Sequence, residues 1–246
     1  MNPQPEQPLG VLLSRALTFY REHFWLLVVV TLPVVAFVDV VITAGLGLLT
    51  AAPNKVVPVA QQVADGDIFV GGALLVTIPL VTAMLARAVV IVARGESPRA
   101  VAIAVEGLEL FGPVFFVVVM LWACVIAGLS LLAIPSIFVL VSWWFAVQAV
   151  AIDRCRWFAA IRMSATLVRG RWWRTAGVGV GFVLACVIPA LPILDLFEWL
   201  ADAAHSDALV VTGLVLIDTL ALPFIAVGAT LYYLELRELH GMPAPR

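Results

Sequence analysis

Between Leu9 and His23 the apolar residues Leu12, Leu13, Ala16, Phe19 and Tyr20 recur at helical spacing against Ser14, Arg15, Arg21 and Glu22. That alternation describes an amphipathic helix lying in a membrane interface. The pattern then changes kind, because Phe24 to Thr50 is an apolar run of 27 residues. Such a run is long enough to cross a hydrocarbon core and too long for a signal-peptide core. Further apolar runs extend the series to six predicted spans, at about 24–50, 68–93, 112–133, 135–152, 175–194 and 208–234. Amphipathic segments at about 9–23, 98–111 and 154–172 read as interfacial helices. In the second of these, Ser97 is placed to cap a helix whose first residue is Pro98. Polar loops are expected over Ala51 to Asp67 and over the acidic stretch of Asp195, Glu198, Asp202, His205 and Asp207. The domain reading is a flexible tail at 1–8, one six-span membrane domain at 9–240, and a tail at 241–246.

Composition removes the competing classes. Of 246 residues, 63% are apolar and 12% charged, with a mean hydropathy of +1.11. A soluble domain is nearer 45–50% apolar and about 25% charged, so an ordinary water-soluble enzyme is excluded. An all-α integral membrane protein is expected, with no length left for a separate soluble domain.

Charge supplies the orientation. With both termini in the cytoplasm, twelve of the fourteen basic residues lie inside, Lys55 alone lies outside, and Arg87 lies within a span. The positive-inside rule therefore selects the topology with cytoplasmic N and C termini over its inverse. The acidic outer loops complete the asymmetry.

A threefold repeat underlies the spans. Thr77-Ile78-Pro79, Ala133-Ile134-Pro135 and Ala221-Leu222-Pro223 each set an aliphatic-proline pair in an even-numbered span. Thr18-Phe19-Tyr20-Arg21-Glu22-His23-Phe24-Trp25 also sets beside Thr166-Leu167-Val168-Arg169-Gly170-Arg171-Trp172-Trp173, with a more diverged middle copy at Arg99 to Phe111. The unit is an interfacial helix, a span out and a span back.

A family resemblance rests on Ile134-Pro135, Trp143-Trp144-Phe145, Ala151-Ile152-Asp153, Ala159-Ala160-Ile161-Arg162-Met163-Ser164 and Leu167-Val168-Arg169-Gly170-Arg171-Trp172-Trp173-Arg174. Together these resemble the six-span membrane domain found fused to bacterial glycerophosphoryl diester phosphodiesterases and also as standalone proteins. The resemblance implies a helical bundle. In fused relatives the catalysis sits in a separate soluble barrel that this chain does not contain, so the resemblance carries no catalytic residue over to it.

The candidate chemistry is of two kinds. Ionisable residues inside spans are functional hypotheses by default, and Asp39, Arg87 and Asp218 qualify. From the helical rise, Arg87 lies roughly 10 Å and Asp218 roughly 14 Å from the inner face, while Asp39 lies roughly 22 Å from it. An Arg87–Asp218 pair is therefore expected, with Asp39 left to water or a hydroxyl. The plainer alternatives are an Arg87 that snorkels to the headgroups and carboxyls that are neutral and hydrogen-bonded. The second kind is the basic segment from Arg154 to Arg174. Arg162 and Arg169, seven apart, share a helical face, and Arg171, Trp172, Trp173 and Arg174 follow. These six residues form either a topology anchor or an interface for anionic lipid.

Cys124, Cys155 and Cys186 imply no disulfide framework, and the three histidines lie in different segments, so neither a metal nor another cofactor is expected. Nucleic acid is excluded as a partner by a basic cluster embedded at the membrane surface. The expected function is a non-enzymatic membrane protein that binds phospholipids or protein partners, a second copy of itself included, in membrane or lipid homeostasis. The alternative is a small transporter or channel using Asp39, Arg87 and Asp218. An intramembrane enzyme ranks last, because no convergent acid, base and nucleophile are visible.

Overall fold

The computed structural model describes residues 7–50, 67–96, 98–131, 133–205 and 207–243, and describes backbone only at 39–50, 67–76, 129–134 and 207–208. Among the described residues every regular element is a helix: α1 Leu9–Glu22, α2 Phe24–Thr50, α3 Asp67–Ala93, α4 Ala100–Glu109, α5 Phe111–Leu131, α6 Ala133–Ser142, α7 Ala146–Asp153, α8 Phe158–Val168, α9 Trp172–Ala204 and α10 Asp207–Leu239. Four segments among them are long and apolar enough to cross a membrane: Phe111–Gly128, Pro135–Asp153, Trp172–Ala204 and Leu209–Leu239. A fifth arises if α1 and the first part of α2, which meet at 84°, are one broken span. The chain is a multi-pass membrane protein.

The core lies towards the arginine-rich end of the bundle. It is built from Leu80 to Val90 on α3, Ala146 to Ile152 on α7 and Ala226 to Leu236 on α10. α10 packs on α1, α2, α3 and α9, and α3 packs on α2, α4, α5, α7 and α10. By contrast α9 presents Val180, Leu184, Val187, Ile188 and Leu191 outward, and α5 presents Phe115, Trp122 and Ile126. Apolar faces of that extent suit hydrocarbon rather than water.

The span expected at 135–152 is met by Pro135–Asp153, although a turn at Trp143–Phe145 divides its helix into α6 and α7. Two expectations are corrected. The acidic stretch after residue 194 is helical as far as Ala204, because Asp195, Glu198 and Asp202 lie on an exposed face that leaves the backbone ladder intact. At 33 residues, α9 is roughly 50 Å long, against a hydrocarbon core of about 30 Å, so it reaches well beyond one. Finally, α4 begins at Ala100, with Arg99 in the cap position and no side-chain cap, so Pro98 precedes the helix. The proposed cap Ser97 lies outside the described residues.

Small residues within apolar runs predict close helix contacts at Gly45, Gly47, Gly71, Gly72, Gly128, Gly177, Gly179 and Gly181, and these glycines divide. A Cβ at Gly128 would meet Ser136 Oγ at 2.7 Å, and one at Gly181 would meet Leu9 at 2.9 Å. One at Gly179 would only touch Trp144, and Gly177 faces open space. Gly45, Gly47, Gly71 and Gly72 lie outside the described side chains.

Candidate functional site

The residues expected inside the membrane do not converge. Arg87, 7% exposed on α3, places its Nε 2.6 Å from Glu106 Oε2 on α4. Arg154, at the left-handed C-cap of α7, approaches the same carboxylate oxygen at 3.4 Å. Arg87 is therefore paired with Glu106 on α4 and not with Asp218. Depth along the helix axis put Asp218 within reach, but the direction in which each side chain leaves its helix is set by packing, and α4 lies against that part of α3. Asp218 is half-buried on α10. The side chain of Asp39, on α2, lies outside the described residues.

The basic segment behaves differently. Arg162, Arg169 and Trp172 line one cleft of about 530 Å³, together with Phe138, Ser142 and Trp143. α8 supplies one wall, and the end of α6 with the break after it supplies the other. Both guanidinium groups belong to exposed residues. The turn between α8 and α9 passes through Gly170 at φ +84°, a left-handed conformation that costs a residue with a Cβ. Trp172 stacks on Phe138, with centroids 6.1 Å apart and planes 13° apart, and meets Trp173 edge-on at 4.7 Å. Its indole Nε1 is buried and has no hydrogen-bond partner among the described residues.

The other three residues of the expected interface lie apart from the cleft. Arg171 occupies the N-cap of α9, and Trp173 is 82% exposed, as an aromatic-belt residue would be. Arg174 turns inward: its Nη2 donates to Glu235 Oε1 at 2.9 Å and to the Gln7 carbonyl at 2.5 Å, and the guanidinium sits 5.3 Å from the centroid of the Tyr232 ring. Position at the start of a span does not fix the side to which a long side chain points. The buried carboxylate of Glu235 draws this one away from the lipid.

Neither a known family model, nor a curated protein, nor a solved structure matches this chain.

Sequence reasoning missed the polar girdle around the last turns of α10. Besides Glu235, Arg237 places Nη1 2.8 Å from Asp153 Oδ1, an ion pair without hydrogen-bond alignment, and donates from Nη2 to the Pro243 carbonyl at 2.7 Å. The Tyr233 hydroxyl donates to the other oxygen of Asp153. Beside this pair, Cys155 has its thiol pKa pushed above the usual range, first by burial and then by Asp153, with Arg237 opposing. The available signal was the run Tyr232-Tyr233-Leu234-Glu235-Leu236-Arg237, which places hydroxyls and charges on successive faces of one helical end.

Proposed function

We propose that this chain is a non-enzymatic, six-span protein of the bacterial cytoplasmic membrane, with cytoplasmic termini, that binds anionic phospholipid at the cleft between α6 and α8. The carrying observation is the single cleft lined by Arg162, Arg169 and Trp172. Two cations beside an aromatic platform at a helix-to-span turn match the chemistry of a phosphate headgroup above an apolar tail. Each arginine near an anionic surface contributes about 1 kcal/mol. Support for six spans comes from α2 and α3, helices of 27 residues each at the first and second expected positions.

The three-repeat reading belongs to the same proposal. It is supported by matching junctions, since α1 leads into α2 as α8 leads into α9. Kinship with the membrane domain of glycerophosphoryl diester phosphodiesterases is likewise proposed, and a role in membrane or lipid homeostasis follows from it. In its favour, Trp143, Arg162, Arg169 and Trp172 of the resembling stretch all line the cleft. The transporter alternative relied on a path shared by Asp39, Arg87 and Asp218, and the Arg87–Glu106 pair supplies no such path.

The test is photocrosslinking with a phosphatidylglycerol analogue whose reactive group is in the headgroup, followed by peptide mapping. Crosslinks concentrated in residues 138–143 and 162–173 are expected. Crosslinks spread evenly over the lipid-facing helices would refute a defined headgroup site.

A further inference from the structure

A second cleft lies at the first helix-to-span elbow. It has about 590 Å³ and is formed by Tyr20 to Leu26, where α1 turns into α2, with Pro98 opposite. In the register that sets Thr18 against Thr166, Arg21 matches Arg169 and Phe24 matches Trp172. Those positions line their own elbow clefts in both cases. Two others diverge: Ser14 stands where α8 carries Arg162, and Glu22 stands where α8 turns through Gly170. The α1 elbow thus keeps one arginine, loses the other and gains a carboxylate.

That exchange changes which headgroup the elbow suits. Adjacent residues on a helix point in different directions, so Arg21 and Glu22 offer separated charges rather than cancelling each other. Both are exposed. A purely anionic headgroup would meet Glu22 as a repulsive neighbour, whereas a headgroup with a phosphate and a primary ammonium finds a partner for each. Trp25, 76% exposed beside Phe24, adds an aromatic face of the kind that attracts ammonium groups. His23 is held by Phe19, its ring stacked at 4.6 Å and its Nδ1 3.2 Å from the Phe19 carbonyl oxygen, and so holds the shape of the bend.

We propose that the α1–α2 elbow binds a zwitterionic phospholipid headgroup of the phosphoethanolamine class, with the phosphate on Arg21 and the ammonium on Glu22 beside Trp25. The molecule then has two elbow sites of opposite preference, one for anionic and one for zwitterionic lipid.

The test uses the full chain, delipidated in detergent and titrated with phosphatidylethanolamine and with phosphatidylglycerol, with bound lipid counted by native mass spectrometry. An Arg162→Gln/Arg169→Gln background removes the cations of the α8 cleft. If that cleft holds no lipid, the background is inert and the test stands unchanged. Phosphatidylethanolamine should be preferred in this background. Adding Glu22→Gln should weaken its binding about fivefold and improve that of phosphatidylglycerol, while adding Arg21→Gln should weaken both. A preference unchanged by Glu22→Gln, or phosphatidylglycerol favoured before that substitution, overturns the assignment. Both side chains are exposed, so the fold is expected to tolerate either change, and a thermal melt of each variant checks it.

Discussion

The hydroxyl of Ser164 accepts the amide proton of Phe145 at 3.1 Å and donates its own to the Ser142 carbonyl at 2.8 Å. One buried side chain on α8 thereby satisfies two of the backbone groups freed where α6 breaks from α7. The break in turn shapes a wall of the arginine cleft through Ser142 and Trp143.

Ser164→Ala should therefore destabilise the protein by about 1–3 kcal/mol, the cost of leaving buried backbone groups unpaired. Thermal unfolding in detergent measures this. A melt indistinguishable from that of the parent would show that the break is held by something else.

The Arg87–Glu106 pair makes a second prediction. Glu106→Gln leaves a buried guanidinium without its counter-charge and should cost about 3 kcal/mol, whereas Asp218→Asn should cost far less. A double change to Arg87→Met/Glu106→Leu should recover much of the loss, since apolar replacement of a buried pair is often neutral. Melts of the four chains in one detergent decide it, and a greater loss for Asp218→Asn would return Arg87 to the partner expected from depth alone.

How far these pairings were legible differs by residue. Arg162, Arg169 and Trp172 could be read as one patch because their proximity is local, a matter of helical period along α8 and the turn after it. Long helices such as α2, α3 and α10 were equally legible, since an apolar run long enough to span has few other ways to satisfy its backbone. Glu106 was not legible as the partner of Arg87, nor Glu235 as that of Arg174, because those contacts depend on how separate helices are rotated about their axes. The α6–α7 break was hidden for a related reason: the hydroxyl that makes it tolerable lies 19 residues away in sequence.

Gly228 is a packing prediction that the sequence alone did not offer. A Cβ there would overlap the ring of Phe182, which is buried between α9 and α10. Gly228→Ala should destabilise by about 1–3 kcal/mol through overpacking, and Phe182→Leu should relieve part of that cost. A double-mutant cycle on thermal stability reads the coupling, and strict additivity of the two changes would contradict the contact.

Cys155 gives a prediction in pH. Because burial and Asp153 raise its pKa, less thiolate is present at any pH below that value, and alkylation follows the thiolate. In a chain with Cys124→Ser and Cys186→Ser, the alkylation rate should climb only at pH values above those at which a free thiol reacts. Asp153→Asn removes a raising influence and leaves Arg237 to lower the pKa, so the profile should shift to lower pH. A shift in the opposite direction would contradict this electrostatic account of the α7 end.

The central claim is that Arg162 and Arg169 together select anionic lipid. Its most direct test is a competition in which the full chain is titrated with phosphatidylglycerol against phosphatidylcholine, comparing the parent with Arg162→Gln/Arg169→Gln by native mass spectrometry. The account predicts a preference for phosphatidylglycerol that falls about thirtyfold in the double variant, with the thermal melt unchanged. A preference that survives both substitutions would contradict it.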